Sequence, residues 1–293
     1  MPEVRSPTVR RRELGALLRS LRQARGMTVE QVAAELLCSP SKVSRMETGS
    51  RAVTLRDIRD LCDLYDVSDP AERERMSLLA AEGKQQGWWQ SYELEFATYV
   101  GLEEAAVSIN HFASTTVMGL VQTADYARAM HKGGFQDFDD GRIDALIEVR
   151  MKRQQLLSRE PPLELHIVFD EAVLRRLVGG PAVMARQLGR LVELARSSRV
   201  TIQVIPYEVG AHPAMDSHFS IMDFGESGSN LVYVEGLVGW LYLERQQDLD
   251  RYALVFERLC VIALNPKESI EMIARIAAQY KSASGLVYGV DSA

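Results

Sequence analysis

The sequence predicts two fold classes in one chain. An all-α helix-turn-helix domain of five helices comes first, and an α/β domain with a mixed sheet covered by helices follows. Three observations predict this. In the first hundred residues apolar side chains recur at helical spacing between compact start and stop signals. Beyond residue 100, alternating and β-branched runs interleave with helical ones. Charge divides along the same line: residues 1–59 hold 12 Lys and Arg against 6 Asp and Glu, leaving 22 against 34 in the remainder. A basic head on an acidic body, within a net charge of −6, points to a polyanionic partner for the head alone.

The elements of the head follow in order. Glu13 to Arg25 places Leu14, Leu17, Leu18 and Leu21 on one helical face, and Gly26 stops the helix. Thr28 and Gln31 have capping-box spacing ahead of Val29, Val32, Ala33 and Leu36. Ser39 is a good N-cap with Pro40 at the first helical position, and this third helix ends near Gly49. A fourth helix starts from Thr54 with Leu55, Ile58, Leu61, Cys62 and Tyr65 on its apolar side. A fifth starts at Asp69-Pro70 and ends at Gly83.

The third helix buries little. Only Val43 and Met46 share an apolar stripe, which leaves small hydroxyls and cations facing outward. A helix that enters the major groove needs that composition. Pro40, Ser41, Ser44 and Arg45 are the candidate base-reading residues, Arg45 having the fork that pairs with guanine. Arg10, Arg11, Arg12, Thr28, Lys42, Thr48 and Arg51 are candidates for the phosphate backbone, which positions without specifying.

These residues carry a resemblance. The stretch MTVEQVAAELLCSPSKVSRMETG resembles the xenobiotic-response-element (XRE) family of bacterial and phage repressors. The resemblance implies that Glu47, closing the third helix, pairs with Arg22 of the first. Two positions depart from the family pattern: Val29 stands where Gln is usual, and Val53 where Pro is usual.

The second part reads as α/β. Helix-like segments are TADYARAMHKG, GRIDALIEVRMKRQQLLSR, EAVLRRLVGG, AVMARQLGRLVELARSS, DLDRYALVFERLCVIAL and PKESIEMIARIAAQYK. Strand-like segments are LELHIVFDE, VTIQVIP, HFSIMDF, NLVYVEG and GWLYLE, and β-branched residues also follow the helix-like stretch LEEAA. Two strand–helix–strand passages favour a partly parallel sheet. The expected divisions are residues 1–84 for the head, 85–99 for a junction closed by Trp88-Trp89, and 100–293 for a sensor, partner-binding and dimerisation domain. Segments such as GLVQTADYARAM and VTIQVIPYEVGAHPAMDSHFSIMDF resemble the C-terminal domain of unknown function of a large set of actinobacterial regulators, among them the developmental regulator WhiJ. That resemblance implies a small co-encoded partner protein and, for some members, antitoxin-like behaviour.

Catalytic signals are weak. His212 and His218 flank Asp216, but the His-x-Lys of phospholipase-D-type chemistry lacks its lysine because Phe219 and Ser220 follow His218. The other reading of His212 is a loop histidine that satisfies turn amides; Asp170 with Glu171 reads as an acid pair or, for Asp170, as a helix cap. Cys38, Cys62 and Cys260 are too dispersed for a zinc site or a disulfide framework, which suits a reducing cytoplasm. No run reaches ~18 uncharged apolar residues, so no membrane partner is expected. Gln122, Thr123 and Tyr126, with His212 and His218, are candidates for contact with an effector or partner. The expectation is a cytoplasmic, homodimeric DNA-binding transcriptional regulator on a double-stranded operator, with no enzymatic activity, metal or cofactor. Its C-terminal domain binds a small protein or a small-molecule effector. The alternatives are an antitoxin-like scaffold and a DNA-anchored degenerate phosphodiesterase.

Overall fold

Local capping chemistry sets the helices of the first hundred residues. The computed structural model describes residues 6–85, 87–92, 94, 96–134, 138–225, 230–236 and 239–287. The basic start (1–5), Gln86, Glu93 and Glu95 of the expected junction, and residues 135–137, 226–229, 237–238 and 288–293 of the expected sensor domain lie outside the described residues. The first five helices are α1 (Pro7–Ala24), α2 (Val29–Glu35), α3 (Pro40–Glu47), α4 (Leu55–Leu64) and α5 (Pro70–Gly83). Thr28 and Gln31 form the reciprocal capping box on α2, and Thr54 and Asp57 form a second one on α4. Ser39 and Asp69 cap α3 and α5, each with proline in the first turn.

Among these five, one helix differs from expectation. The first helix begins at Pro7 rather than Glu13, with Ser6 as its cap. Arg10, Arg11 and Arg12 therefore lie on helical backbone and not on a free arm. The cause is tertiary: Pro7, Thr8 and Val9 are buried, and Ser6 Oγ donates to the Gly101 carbonyl at 2.6 Å. Gly101 belongs to α6 (Ala97–Ala105), reached through a short 3-10 turn at Trp88–Tyr92. Trp89 is buried, with its ring edge-on to Trp88.

Contacts divide the described residues into two units, one running to Ala105 and the other starting at Ala106. The expected junction 85–99 falls inside the first unit. Leu14, Leu18, Val32, Ala33, Val43, Met46, Val53, Ile58, Leu61 and Met76 build that unit's core. Val53 is thus a core residue, and Val29 packs against the same cluster, which gives both family departures a packing role.

The second unit is built on a six-stranded sheet ordered β3-β2-β1-β4-β5-β6. Its strands are β1 (Ser108–Ala113), β2 (Glu164–Asp170), β3 (Val200–Ile205), β4 (Phe219–Asp223), β5 (Leu231–Gly236) and β6 (Gly239–Leu243). β1, β2 and β3 run parallel, and β4, β5 and β6 form an antiparallel meander joined to β1. The parallel strands are linked through helices α7 (Ala124–Lys132), α8 (Asp140–Arg153), α9 (Glu171–Arg175) and α10 (Pro181–Leu194). Two long helices follow the sheet, α11 (Gln246–Ile262) and α12 (Pro266–Val287).

Alternation along the strands puts Phe112, Val168, Ile205, Phe219 and Val232 on one face, where Phe256 and Leu259 of α11 close over them. Ile109, Ile167, Phe169, Ile202, Val204 and Met222 face the other way and are also buried. The link between α11 and α12 covers the β3 edge. There the Leu264 amide donates to the Val204 carbonyl at 2.9 Å, and the Val204 amide donates to Ser269 Oγ at 3.0 Å. No backbone polar group of Val204 is thereby left bare at the sheet edge.

Candidate nucleic-acid interface

Helix α3 offers one face to its own domain and one to solvent. Val43 and Met46 are each 1% exposed, whereas Pro40, Ser41, Ser44, Arg45, Thr48 and Arg51 are all exposed. The hydroxyls of Ser41 and Ser44 form no hydrogen bond among the described residues, so both are free to meet a base edge. Arg45 folds back on the helix, Nε donating to the Ser41 carbonyl at 3.2 Å. This exposed tether is a single bond at one edge of the guanidinium. The end of the helix is fixed from outside: the Thr48 and Ser50 hydroxyls and the Arg51 amide all donate to the Arg45 carbonyl.

Two ion pairs orient α3. Arg22 and Glu47 meet in a fork, with Nε to Oε1 at 2.6 Å and Nη2 to Oε2 at 2.8 Å, as the family resemblance implied. Arg22 Nη1 also donates to the Met27 carbonyl at 2.9 Å, tying α1 to the start of the helix-turn-helix. The Glu47 hydrogen bond holds the Arg22 guanidinium above its ordinary value. At the other end, Lys42 Nζ reaches Asp57 Oδ1 of α4 at 2.6 Å. Asp57 also accepts from Thr54, and these bonds outweigh its burial to hold the carboxyl below the usual range. Lys42 therefore braces α3 against α4, in place of the free phosphate contact that sequence reasoning expected. The signal for this pair was present: Thr54-x-x-Asp57 is a capping box, and it places a carboxylate at the start of α4.

The remaining backbone candidates divide. Thr28 is exposed, but its hydroxyl caps α2 by accepting from the Gln31 amide at 3.2 Å. Arg10 pairs with Glu13 at 3.0 Å and with Glu82 at 2.5 Å. Arg11 donates to the Pro7 carbonyl at 3.3 Å, and burial lowers its proton affinity. Arg12 is half-buried, its backbone within 2.8 Å of where a side chain on Gly49 would start. None of the three is a free arm, because they share the α1 surface that packs on α5 and on the end of α3. Sequence reasoning passed over Arg56 and Arg59 on α4, whose side chains are 85% and 68% exposed beside α3 in the chain order.

The candidate residues of the second unit are occupied by the fold. Gln122 Nε2 donates to the Val117 carbonyl at 2.5 Å, and its Oε1 accepts from Arg150. The Thr123 hydroxyl caps α7 by accepting from the Tyr126 amide at 3.3 Å, and the Thr123 amide donates to Gln187 Oε1 at 2.7 Å. Tyr126 is fully buried and its hydroxyl accepts from the Val117 amide at 3.2 Å. These side chains fasten the turn before α7 to α8 and α10 and do not line an open surface.

His212 is similarly engaged. Its Nδ1 accepts from the Ala214 amide at 3.3 Å, so Nε2 carries the proton and donates to Asp170 Oδ2 at 3.3 Å. Asp170 Oδ1 accepts from the Ala172 amide and caps α9, as the alternative sequence reading held. Asp216 is exposed, and His218 instead lies electrostatically close to His111 on β1. Among the described residues no three His, Cys, Asp or Glu side chains converge as a metal would require, and no helix is long and apolar enough to cross a membrane.

His111 gives this unit a pH dependence. Its Nδ1 lies 2.8 Å from Ser220 Oγ, and burial, with His218 nearby, pushes the imidazole down to about 3. An unfolded histidine binds a proton near 6.5, so the unfolded chain takes up the proton first. The stability contributed is complete above pH 6.5 and is lost as pH falls from there toward 3, by about 1.4 kcal/mol per unit. Between pH 7 and pH 5 the loss is ~2 kcal/mol from this residue. Urea titrations at both pH values should show a smaller drop for His111→Asn by that amount; an unchanged drop contradicts the assignment.

Comparison with protein families places these features. A family model described as a helix-turn-helix domain matches residues 13–76. A second, described as a domain of unknown function (DUF5753), matches residues 96–275. No curated protein and no solved structure matches the chain.

Proposed function

The chain belongs to the DUF5753 family and carries a helix-turn-helix domain ahead of that region, and from this premise we propose a sequence-specific, cytoplasmic transcriptional regulator of the XRE type that binds its operator as a homodimer. The observation that carries the reading is the division of α3: Val43 and Met46 are held in the core, while Ser41, Ser44 and Arg45 stand exposed without a strong internal partner. The recognition helix reads bases through these residues, and Arg51, Thr48 and the α4 arginines meet phosphates. Lys42 and Arg22 act from behind by fixing the helix angle. A two-fold dimer would set half-sites one helical turn apart, roughly 34–36 Å, or a multiple of it.

The second unit acts without catalysis in this reading. Its histidine–aspartate contact is consumed by a loop amide and a helix cap, which leaves no ring nitrogen to take a substrate proton. Its part is to bind a small partner protein or an effector and so change operator occupancy. The Gln122–Tyr126 segment supports that domain's core instead of forming the contact surface.

The test begins with selection of a preferred duplex from a random pool by the purified full chain. Arg45→Ala is expected to weaken the selected duplex by ~1–3 kcal/mol and to relax preference at one base pair. Arg51→Ala is expected to weaken all duplexes alike and to reduce the salt slope by about one. Equal loss by Arg45→Ala on selected and scrambled DNA contradicts base reading. Failure to enrich any sequence contradicts specificity altogether.

A further inference from the structure

The inner face of α11 is fully used, since Phe256 and Leu259 are buried against the sheet and Leu249, Tyr252 and Val255 pack around them. Its outer face carries Asp250, Arg251, Leu254, Glu257, Arg258 and Val261, all exposed, with Leu254 at 48% and Val261 at 84%. Their spacing of three and four residues makes one continuous stripe along the helix. Asp250 accepts a bond from Gln246 at 2.7 Å. Arg251, Glu257 and Arg258 form no ion pair or hydrogen bond among the described residues.

The charges on this stripe have a symmetry about Leu254. Turning a second copy of the helix antiparallel about that residue places Arg251 opposite Glu257 and Asp250 opposite Arg258. The two-fold axis then repeats both contacts, and Leu254 meets Leu254 at the centre. A parallel arrangement would instead set Arg251 on Arg251 and Arg258 on Arg258. We propose that the outer face of α11 is a self-complementary seam that joins two copies of this chain about a two-fold axis through Leu254. The occupant is a second copy because the stripe complements its own reversed sequence; a strongly acidic or basic partner would leave half of the charges opposed by like ones. The seam deepens the homodimer part of the reading above and rests on it.

Sedimentation velocity of the full chain across a concentration series tests the seam, with circular dichroism to confirm folding of each variant. The wild-type chain should sediment as a dimer, and Leu254→Glu should return it to monomer. R251E should raise the dimer dissociation constant about tenfold by turning two attractions into repulsions. Adding E257R to R251E restores opposite charges across the axis and should bring the constant back to within about threefold of wild type. A wild-type monomer overturns both the seam and the homodimer. A dimer indifferent to Leu254→Glu and R251E overturns the seam alone and moves the interface elsewhere, the β6 edge with its exposed Leu241 being one such place. Loss by R251E without recovery in the double variant overturns the antiparallel register.

Discussion

Replacing Glu47 with alanine is expected to destabilise the first unit by about 2–3 kcal/mol, the cost of leaving a half-buried cation without its charge-assisted partner. The carboxylate side chain is 7% exposed and the guanidinium 12%, so each recovers only part of its hydration where it stands. Without Glu47, Arg22 retains only its bond to the Met27 carbonyl. Because Glu47 closes α3, the helix also loses the contact that fixes its end relative to α1. DNA affinity should therefore fall even at temperatures where the variant remains folded. Removing both partners, as Arg22→Met with Glu47→Leu, should cost much less than either alanine variant, since no unpaired charge is left. Urea midpoints of the four proteins give the comparison. A single-variant loss under ~1 kcal/mol would mean that the pair is solvated and does not brace the helix.

Gly15→Ala is the second large effect, and here two principles oppose each other. Alanine is a better helix former than glycine by ~1 kcal/mol, so propensity favours the change in the middle of α1. Sterics oppose it: the added β-carbon would lie 2.6 Å from the Glu47 carbonyl oxygen and 2.7 Å from that of Met46. Both are backbone atoms of α3, which cannot turn aside as a side chain can. Overpacking costs roughly 1–3 kcal/mol, and contact with two backbone atoms puts this site at the upper end, so the net loss should be about 2 kcal/mol. Thermal unfolding should show it, and operator affinity should fall with it because the displaced element is α3. A stabilised variant would show that α1 and α3 can separate without strain.

Local chemistry was legible in the sequence. Thr28 with Gln31, Ser39 with Pro40, and Asp69 with Pro70 each announce a helix start through side chains at most three residues apart, and all three caps form. The burial of Val43 and Met46 was readable from their spacing. The strands β2 and β3 were readable from alternation and β-branched runs, and β4 to β6 from the Gly and Asn turns that divide them. Signals that depend on another element were not legible. The start of α1 at Pro7 is set by Gly101 and by the surface of α5, remote in sequence. The engagement of Lys42 depends on a carboxylate on a different helix. Gln122 and Tyr126 looked available because polar side chains beside a turn can face either solvent or the interior; Val117, Arg150 and Gln187 turn that segment inward. His212 beside Asp216 looked like a pair, yet its partner Asp170 stands on the end of β2.

The place of β1 in the sheet has a consequence for how the chain acquires its structure. β4, β5 and β6 are consecutive antiparallel neighbours and need only short loops to close, on the microsecond scale of hairpins. β1 has no such neighbour: it must find β2, pairing Ser108 with Glu164, and β4, pairing Ser108 with Asp223. Until both pairings exist, the meander and the parallel strands are separate half-sheets with open edges. The first unit is all helical, each helix forming from local bonds, and it needs no strand pairing, although α1 must still wait for α5 and Gly101. During synthesis the helix-turn-helix unit should thus reach its final form while the rest of the chain is still emerging. The joining of β1 to β4 must wait until residues 219–223 have emerged, a non-local step before which the unfinished chain presents an unpaired β1 edge to its surroundings.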